Sequence, residues 1–290
     1  MPDESGRTIL DDIVAARRRS VEEARSILPL KRVQQLAEDR QERRDFAAAL
    51  AARADSEGAP VLHVIAELKR ASPSRGLLRL HYRRREIALG YAAAGASALS
   101  VLTEAQYFLG STQDLTEVRQ AVKIPVLRKD FIVESYQIYE SVAVGADALL
   151  LIVAILPDHD LRNLLALCNE LQVAALVEVH TEEEMDRAIA AGARIIGVNN
   201  RNLKTLEVNL ETSFALRAKM PRDCVAVSES GIKTSEDLRR ISAAGFNAVL
   251  IGERLMTQVD PGMALRNMLA EYIGQPKLVT RQPTEDCKVS

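Results

Sequence analysis

Cysteine is scarce in this 290-residue chain and poorly placed for bridging. The three present, Cys168, Cys224 and Cys287, are odd in number, far apart and without a CxxC pair. Neither a disulfide framework nor a zinc knuckle is expected; reduced thiols in a cytoplasmic protein are. No charge of one sign dominates: 38 Lys and Arg face 40 Asp and Glu, a net charge of −2. That balance argues against nucleic acid or an anionic membrane as the main partner, although a pocket can still be basic locally. Long hydrophobic runs are missing too. The longest, such as Ala148 to Leu156, reach about half of the roughly 20 residues that a membrane-spanning helix needs. The start MPDESGRTIL is acidic and lacks the basic flank and apolar stretch of a secretory signal. His63, His81, His159 and His180 show no HxxxH spacing, so no metal site is expected. They read as core or surface histidines, with His81 and His159 in connections. Tryptophan is absent altogether, so the chain has no indole fluorescence of its own.

What is present is a globular composition, with 47% hydrophobic and 27% charged residues, enough for a sizeable core. From Thr8 to Arg53 apolar residues such as Ile9, Ile13, Val14 and Val21 recur at helical spacing, interrupted after Leu28 by Pro29. Residues 1–55 are therefore expected to form a helical extension packed on the remainder of the chain. The basic runs Ala15–Arg19 and Tyr82–Glu86 lie beside acidic residues and are expected to be solvated helix faces. After Pro60 the pattern becomes short β-branched runs alternating with amphipathic helical segments. Strands are expected near Val61–Leu68, Ala98–Leu102, Val126–Lys129, Ala148–Val153, Ala174–Val179, Arg194–Val198, Val225–Ser228 and Ala248–Ile251.

A glycine closes a helix before alternate strands, at Gly95, Gly145, Gly192 and Gly245, where the left-handed C-cap conformation suits it. Their separation of roughly 50 residues fits two βα units of about 25 each. Several strands are apolar without alternation, as in a parallel sheet covered on both faces. The expected class is α/β, a (β/α)8 TIM barrel over 56–275 with the N-terminal helical extension; 276–290 is polar and aperiodic and is expected to be a disordered tail. An open doubly wound sheet is the alternative, but no GxGxxG follows the first strand.

Catalytic side chains of such a barrel belong at the C-terminal ends of its strands. Glu67 and Lys69 end the first strand two residues apart, on one face. Lys129 ends the third and Glu178 the fifth; Asn199 and Arg201 follow the sixth, and Glu229 and Ser230 the seventh. A lone buried charge would be costly, whereas two lysines with two glutamates compensate one another and suit proton transfer. The opposing reading is a ring of ion pairs that only plugs the barrel mouth. Ser228–Ile232 and Ile251–Arg254, after the last two strands, suggest a phosphate cradle, with Gly231 and Gly252 allowing close backbone approach. Cys168 and Cys224 read as small buried residues rather than nucleophiles.

These segments together resemble the indole-3-glycerol phosphate synthase family of tryptophan biosynthesis. The resemblance rests on Ile65–Ser74, Ser100–Glu104 with Phe108–Ser111, Arg128–Val133, Leu176–Val179, Gly197–Leu203, Glu229–Ile232 and Leu250–Gly252. It implies a cofactor-free lyase acting on 1-(2-carboxyphenylamino)-1-deoxyribulose 5-phosphate, closing the indole ring with loss of carbon dioxide and water. It implies Lys129 as the acid for the ring-closing step, Glu178 as a catalytic carboxylate, Lys69 as holder of the substrate carboxylate, and Glu67 as its partner in proton traffic. Asn199 and Ser230 would bind hydroxyl groups or developing charge, with Arg201 and Glu229 completing the network. Ser72, Gly231, Gly252 and Glu253 would surround the phosphate, the last through its backbone, and Phe108, Leu150 and Leu203 would form a slot for the anthranilate ring. A monomer is expected, with other tryptophan-pathway enzymes as conceivable partners. One departure is visible: relatives often carry Asp-Pro where this chain has Leu80-His81-Tyr82. That removes a helix cap and is expected to alter the first loop and substrate affinity. Another phosphate-binding barrel, such as a sugar-phosphate isomerase, or a silent scaffold, are the competing functions.

Overall fold

The computed structural model describes residues 8–51, 61–203 and 205–274. The 55/56 boundary, Cys287 and the expected tail lie outside the described residues. Eight parallel strands close into a barrel: β1 His63–Leu68, β2 Ala98–Leu102, β3 Val126–Lys129, β4 Ala148–Ile152, β5 Ala174–Val179, β6 Ile195–Asn199, β7 Val225–Glu229 and β8 Ala248–Ile251. Each strand pairs with its sequence neighbours, and β8 pairs with β1 to complete the circle. The expected bounds shift slightly. β1 starts at His63, Val153 begins a 3-10 turn after β4, and β6 runs Ile195–Asn199. β6 and β7 extend to Asn199 and Glu229, which face each other across the ladder and so belong to strands rather than to loops.

Alternation of side chains explains the two cores. Val64, Ala66 and Leu68 of β1 point outward with Leu99, Val101, Leu149 and Leu151, and pack with residues of the surrounding helices such as Ile87, Tyr91, Leu115 and Val118. Ile65, Leu127, Leu150, Leu176, Val227 and Leu250 fill the interior. The strands are thus apolar on both faces because both faces are covered. The barrel helices are α4 Arg84–Ala93, α5 Thr112–Ala121, α6 Ser135–Ala143, α7 Asp158–Glu170, α8 Glu182–Ala190, α9 Glu211–Arg217, α10 Ser235–Ala243 and α12 Pro261–Tyr272, with a short extra helix α11 Glu253–Met256 after β8. The four repeat glycines follow their helices with φ between +84° and +105°, as the left-handed C-cap requires.

The extension comprises α1 Ile9–Ile27, α2 Leu30–Glu38 and α3 Phe46–Leu50. Thr8 and Asp11 form a capping box that starts α1. Ile13 of α1 with Phe46 and Leu50 of α3 join the interior cluster, which ties the extension to the barrel. Two of the basic residues expected on solvated faces are instead held in ion pairs. Arg17 reaches Asp130 at 2.8 Å with its side chain 12% exposed, and Arg84 meets Asp114 at 3.1 Å and Glu117 at 2.7 Å. Their reason is compensation: Asp130 and Asp114 are buried carboxylates. Arg18, Arg19, Arg83 and Arg85 are exposed, as the pattern suggested.

His63 is a satisfied core histidine, with its ring nitrogens 2.9 Å from Ser97 Oγ and 3.0 Å from the Ala51 carbonyl oxygen. His159 falls within the first turn of α7 rather than in a connection. Cys168 and Cys224 are buried free thiols, and burial pushes Cys168 up to about 12, where it is inert. α4 has no side-chain cap, but its N-cap position is Arg83, one residue beyond the Leu80-His81-Tyr82 stretch. Arg79 anchors the loop instead, donating to the carbonyls of Met256, Gln258 and Val259.

Candidate active site

Inward positions two residues apart carry the interior stripe up to the rim. Ile65 is followed by Glu67 and Lys69, Leu127 by Lys129, Leu176 by Glu178, and Val227 by Glu229. The apolar filling therefore becomes charged one layer higher, at the C-terminal ends of the strands. A cavity of about 700 Å³ opens there. Its wall includes Glu67, Lys69, Lys129, Glu178, Asn199, Ser230, Phe108, Leu150, Arg201, Leu203, Glu229, Gly231, Gly252 and Glu253. Ser72 alone of the expected site residues does not line it. It pairs in a small hairpin, Ala71–Ser72 with Gly76–Leu77, and its buried hydroxyl has no hydrogen-bond partner; the loop contributes Ser74 and Arg75 instead.

The charges are arranged as interlocked pairs. Lys129 Nζ donates to Glu178 Oε2 at 2.7 Å and Glu229 Oε2 at 2.9 Å, and Lys69 Nζ lies 2.6 Å from Glu67 Oε1. Burial opposes the ammonium of Lys129, but Glu178, Glu229 and Glu67 overrule it and hold the group above the usual lysine range. Burial likewise opposes ionised Glu178, yet Lys129 and His180 hold it well below the usual carboxylate range. Glu229 goes the other way: burial, aided by the negative charges of Glu178 and Glu67, pushes it up to about 7 despite Lys129. One cation between two carboxylates thus leaves one of them ready to carry a proton near neutrality.

Two glycines make room for these carboxylates. A Cβ on Gly197 would lie 2.0 Å from Glu229 Oε1, and one on Gly252 would lie 2.2 Å from Glu67 Oε1. Gly252 therefore yields space to a carboxylate of the interior, a role distinct from the expected backbone approach to phosphate. Gly231, at φ +82°, follows Ser230 at φ +66°. Asn200 fixes that strained turn, donating through Nδ2 to Ser228 Oγ and to the carbonyls of Glu229 and Ser230, while its Oδ1 accepts from Ser213 N–H.

On the apolar side, the Phe108 and Phe131 rings lie 6.1 Å apart at 38°, with Leu150 and Leu203 also on the wall. Phe108 is set by Glu104, whose carboxylate accepts the backbone N–H groups of Gln106, Tyr107 and Phe108. Across the cavity, the Glu253 side chain accepts from Arg75 at 3.0 Å and Arg201 at 3.2 Å, so it does more than present its backbone. Sequence pattern marks none of Phe131, Asn200 and Arg75 as site residues in their own right, and it reads His180 only as a core or surface histidine. Phe131 and Asn200 sit inside the motifs Arg128–Val133 and Gly197–Leu203; Arg75 and His180 carry no periodic signal. Among the described residues no group of three His, Cys, Asp or Glu could hold a metal ion, and no helix is long and apolar enough to cross a membrane.

The profile of the indole-3-glycerol phosphate synthase family matches residues 10–268. An indole-3-glycerol phosphate synthase of Polaromonas sp. is 47% identical over 260 residues, covering 90% of this chain and 97% of the relative. One of Chloroherpeton thalassium is 50% identical over 250 residues, covering 86% and 95%. Solved structures share the fold at low identity. A thiamine phosphate pyrophosphorylase from Pyrococcus furiosus has TM-score 0.54 at 16% identity, over 73% of this chain and 98% of that one. A mandelate oxidase has TM-score 0.58 at 17% identity, over 87% and 92%.

Proposed function

This chain belongs to the indole-3-glycerol phosphate synthase family, and from that premise we propose a division of labour among the residues of its rim. The reaction converts 1-(2-carboxyphenylamino)-1-deoxyribulose 5-phosphate to indole-3-glycerol phosphate, carbon dioxide and water. The aromatic carbon bearing the carboxylate attacks the ketone, and the ketone oxygen becomes an alkoxide that must be protonated. Lys129 supplies that proton. The observation that carries this assignment is the position of its ammonium, 2.7 and 2.9 Å from two carboxylates on the wall of the cavity. A cation so placed stabilises developing negative charge without reorganising at the moment of reaction.

Glu178 keeps Lys129 charged and oriented and serves the proton traffic of the later steps. Lys69, steadied by Glu67 at 2.6 Å, holds the substrate carboxylate and then assists departure of the hydroxyl as water. Phe108, Phe131, Leu150 and Leu203 receive the anthranilate ring, whose apolar faces they match. Asn199 and Ser230 take the hydroxyl groups. The turn at Ser230–Gly231 and the start of α11 at Gly252–Glu253 take the phosphate through backbone N–H groups, at the position where this fold commonly binds it. Arg201 stands at the same end of the cavity, held by Glu253.

The direct test is the appearance of indole fluorescence when the purified chain meets the carboxyphenylamino substrate, because the chain has no tryptophan to mask it. A sugar-phosphate isomerase would give no such signal, and neither would a scaffold. The ionisation of Glu229 makes a second prediction. The profile of kcat/KM against pH, which reports the free enzyme, is expected to bend near 7, and the bend should vanish in Glu229→Gln. A bend that survives unchanged would assign it to another group. For stability the sign is fixed as well: the folded state raises the proton affinity of Glu229, so its contribution is complete below the unfolded carboxylate pKa and fades as pH climbs through about 7.

A further inference from the structure

Glu178 lies between two cationic side chains, and the second is not accounted for by the chemistry above. Its Oε2 accepts from Lys129, while its Oε1 stands 3.4 Å from His180 Nε2, an ion-pair contact. The other ring nitrogen, Nδ1, lies 3.0 Å from Glu184 Oε2. The same oxygen accepts the backbone N–H of His180 at 2.7 Å. Glu184 stands in the first turn of α8, where Thr181 Oγ1 accepts its backbone N–H at 3.2 Å. The line Lys129, Glu178, His180, Glu184 therefore runs outward from the cavity through the end of β5 to the start of α8. His180 is only 10% exposed and is not among the residues of the cavity wall.

Burial opposes the charge of Glu178, and in the resting site Lys129 and His180 together keep it ionised. Once Lys129 has delivered its proton to the alkoxide, His180 is the cation that remains beside it. At that point Glu178 faces a neutral amine, with Glu229 as an acidic neighbour. A buried carboxylate in that company would compete for the proton. We propose that His180 is a positioning residue: as an imidazolium anchored by Glu184, it keeps Glu178 ionised and oriented while Lys129 is without its proton. The proposal rests on the assignment of Lys129 as the acid. The balance is simple, since the proton passes from Lys129 to the substrate oxygen and His180 keeps its own throughout.

Glu178 from β5 and Glu184 from α8 are the charged groups that face the ring. Burial disfavours the imidazolium, but these two carboxylates prevail and raise His180 to about 9. It is therefore charged at neutral pH, where an ordinary histidine is mostly not.

The experiment combines steady-state kinetics of the full chain between pH 5 and 10 with an NMR titration of the imidazole nitrogens in the unaltered protein. The expected result is that the His180 signals remain those of an imidazolium past pH 8, and that Glu184→Gln lowers the midpoint. In His180→Leu, kcat should fall by about 10–100-fold with KM little changed, as for a displaced catalytic group. The acid limb of kcat should move to higher pH by about one unit, because a carboxylate that loses a cationic neighbour binds protons more readily. His180→Gln, which keeps a neutral donor, should recover part of the rate but not the position of the limb. A ring that is neutral at pH 7 in the unaltered protein would overturn the proposal, whether or not the variants fold. So would a loss of kcat in His180→Leu with the limb unmoved, which a purely structural role would give. Absence of indole product from the unaltered chain would instead remove the reading of Lys129 on which the proposal stands.

Discussion

Replacing Lys129 with methionine is expected to reduce turnover by about 10²–10⁴-fold, the usual worth of a positioned general acid, while the barrel stays folded. Methionine has nearly the length of lysine, so the cavity is not emptied; what disappears is the ammonium between Glu178 and Glu229. Two buried carboxylates cannot both remain ionised at such close quarters, and the variant should respond by taking up a proton. Glu229, already raised by burial and by its acidic neighbours, is the group to take it. The loss of stability should consequently be small in mild acid and widen as pH rises, since breaking a buried pair with the remaining charge intact costs roughly 3–5 kcal/mol. Indole fluorescence gives the turnover, and urea denaturation at two pH values gives the stability. A variant that retains turnover within about tenfold of the parent would reject Lys129 as the acid.

The second large effect is expected where no charge is changed. Gly252→Ala would place a methyl group 2.2 Å from Glu67 Oε1 and 2.9 Å from its Cδ, and Gly197→Ala would place one 2.0 Å from Glu229 Oε1. Each carboxylate must swing away, Glu67 from Lys69 and Glu229 from Lys129. A displacement of about 1 Å can cost on the order of 10² in rate, and kcat/KM should fall by about that factor in each variant. Overpacking at these sites is expected to cost a further 1–3 kcal/mol of stability, about the usual range. Kinetics together with thermal unfolding separate the two effects. Normal kinetics in Gly252→Ala would mean that Glu67 contributes nothing from the position it occupies.

The strand register was readable because it is written locally. Eight short β-branched runs and four helix-ending glycines place the units with hardly more than two residues of error. The chemical residues were readable for the same reason: a charge at the end of an apolar run, two residues beyond an inward position, has only the rim to go to. Arg17 shows where this reasoning stops. Its helical context says solvated face, but its guanidinium lies on Asp130, 113 residues away. Ser72 shows it too, since a two-residue hairpin turns it away from the cavity its neighbours line. His180 reads from sequence only as a core or surface histidine; its significance comes from Glu184, in the first turn of α8, which lies 3.0 Å from its ring.

By itself, then, the amino-acid order determined the class, the number and bounds of the strands, and which lysines and glutamates stand at their ends, because periodicity and capping act over a few residues. Closure of the sheet decided the rest. Only when β1 meets β8 and each strand settles beside its neighbours do Gly197 and Gly252 become spaces for carboxylates and Lys129 acquire two partners. Only then do Glu178 and Glu229 come to bind protons so differently. Those properties depend on burial and on distances between chain-remote atoms at the rim of the barrel, and no local pattern encodes them.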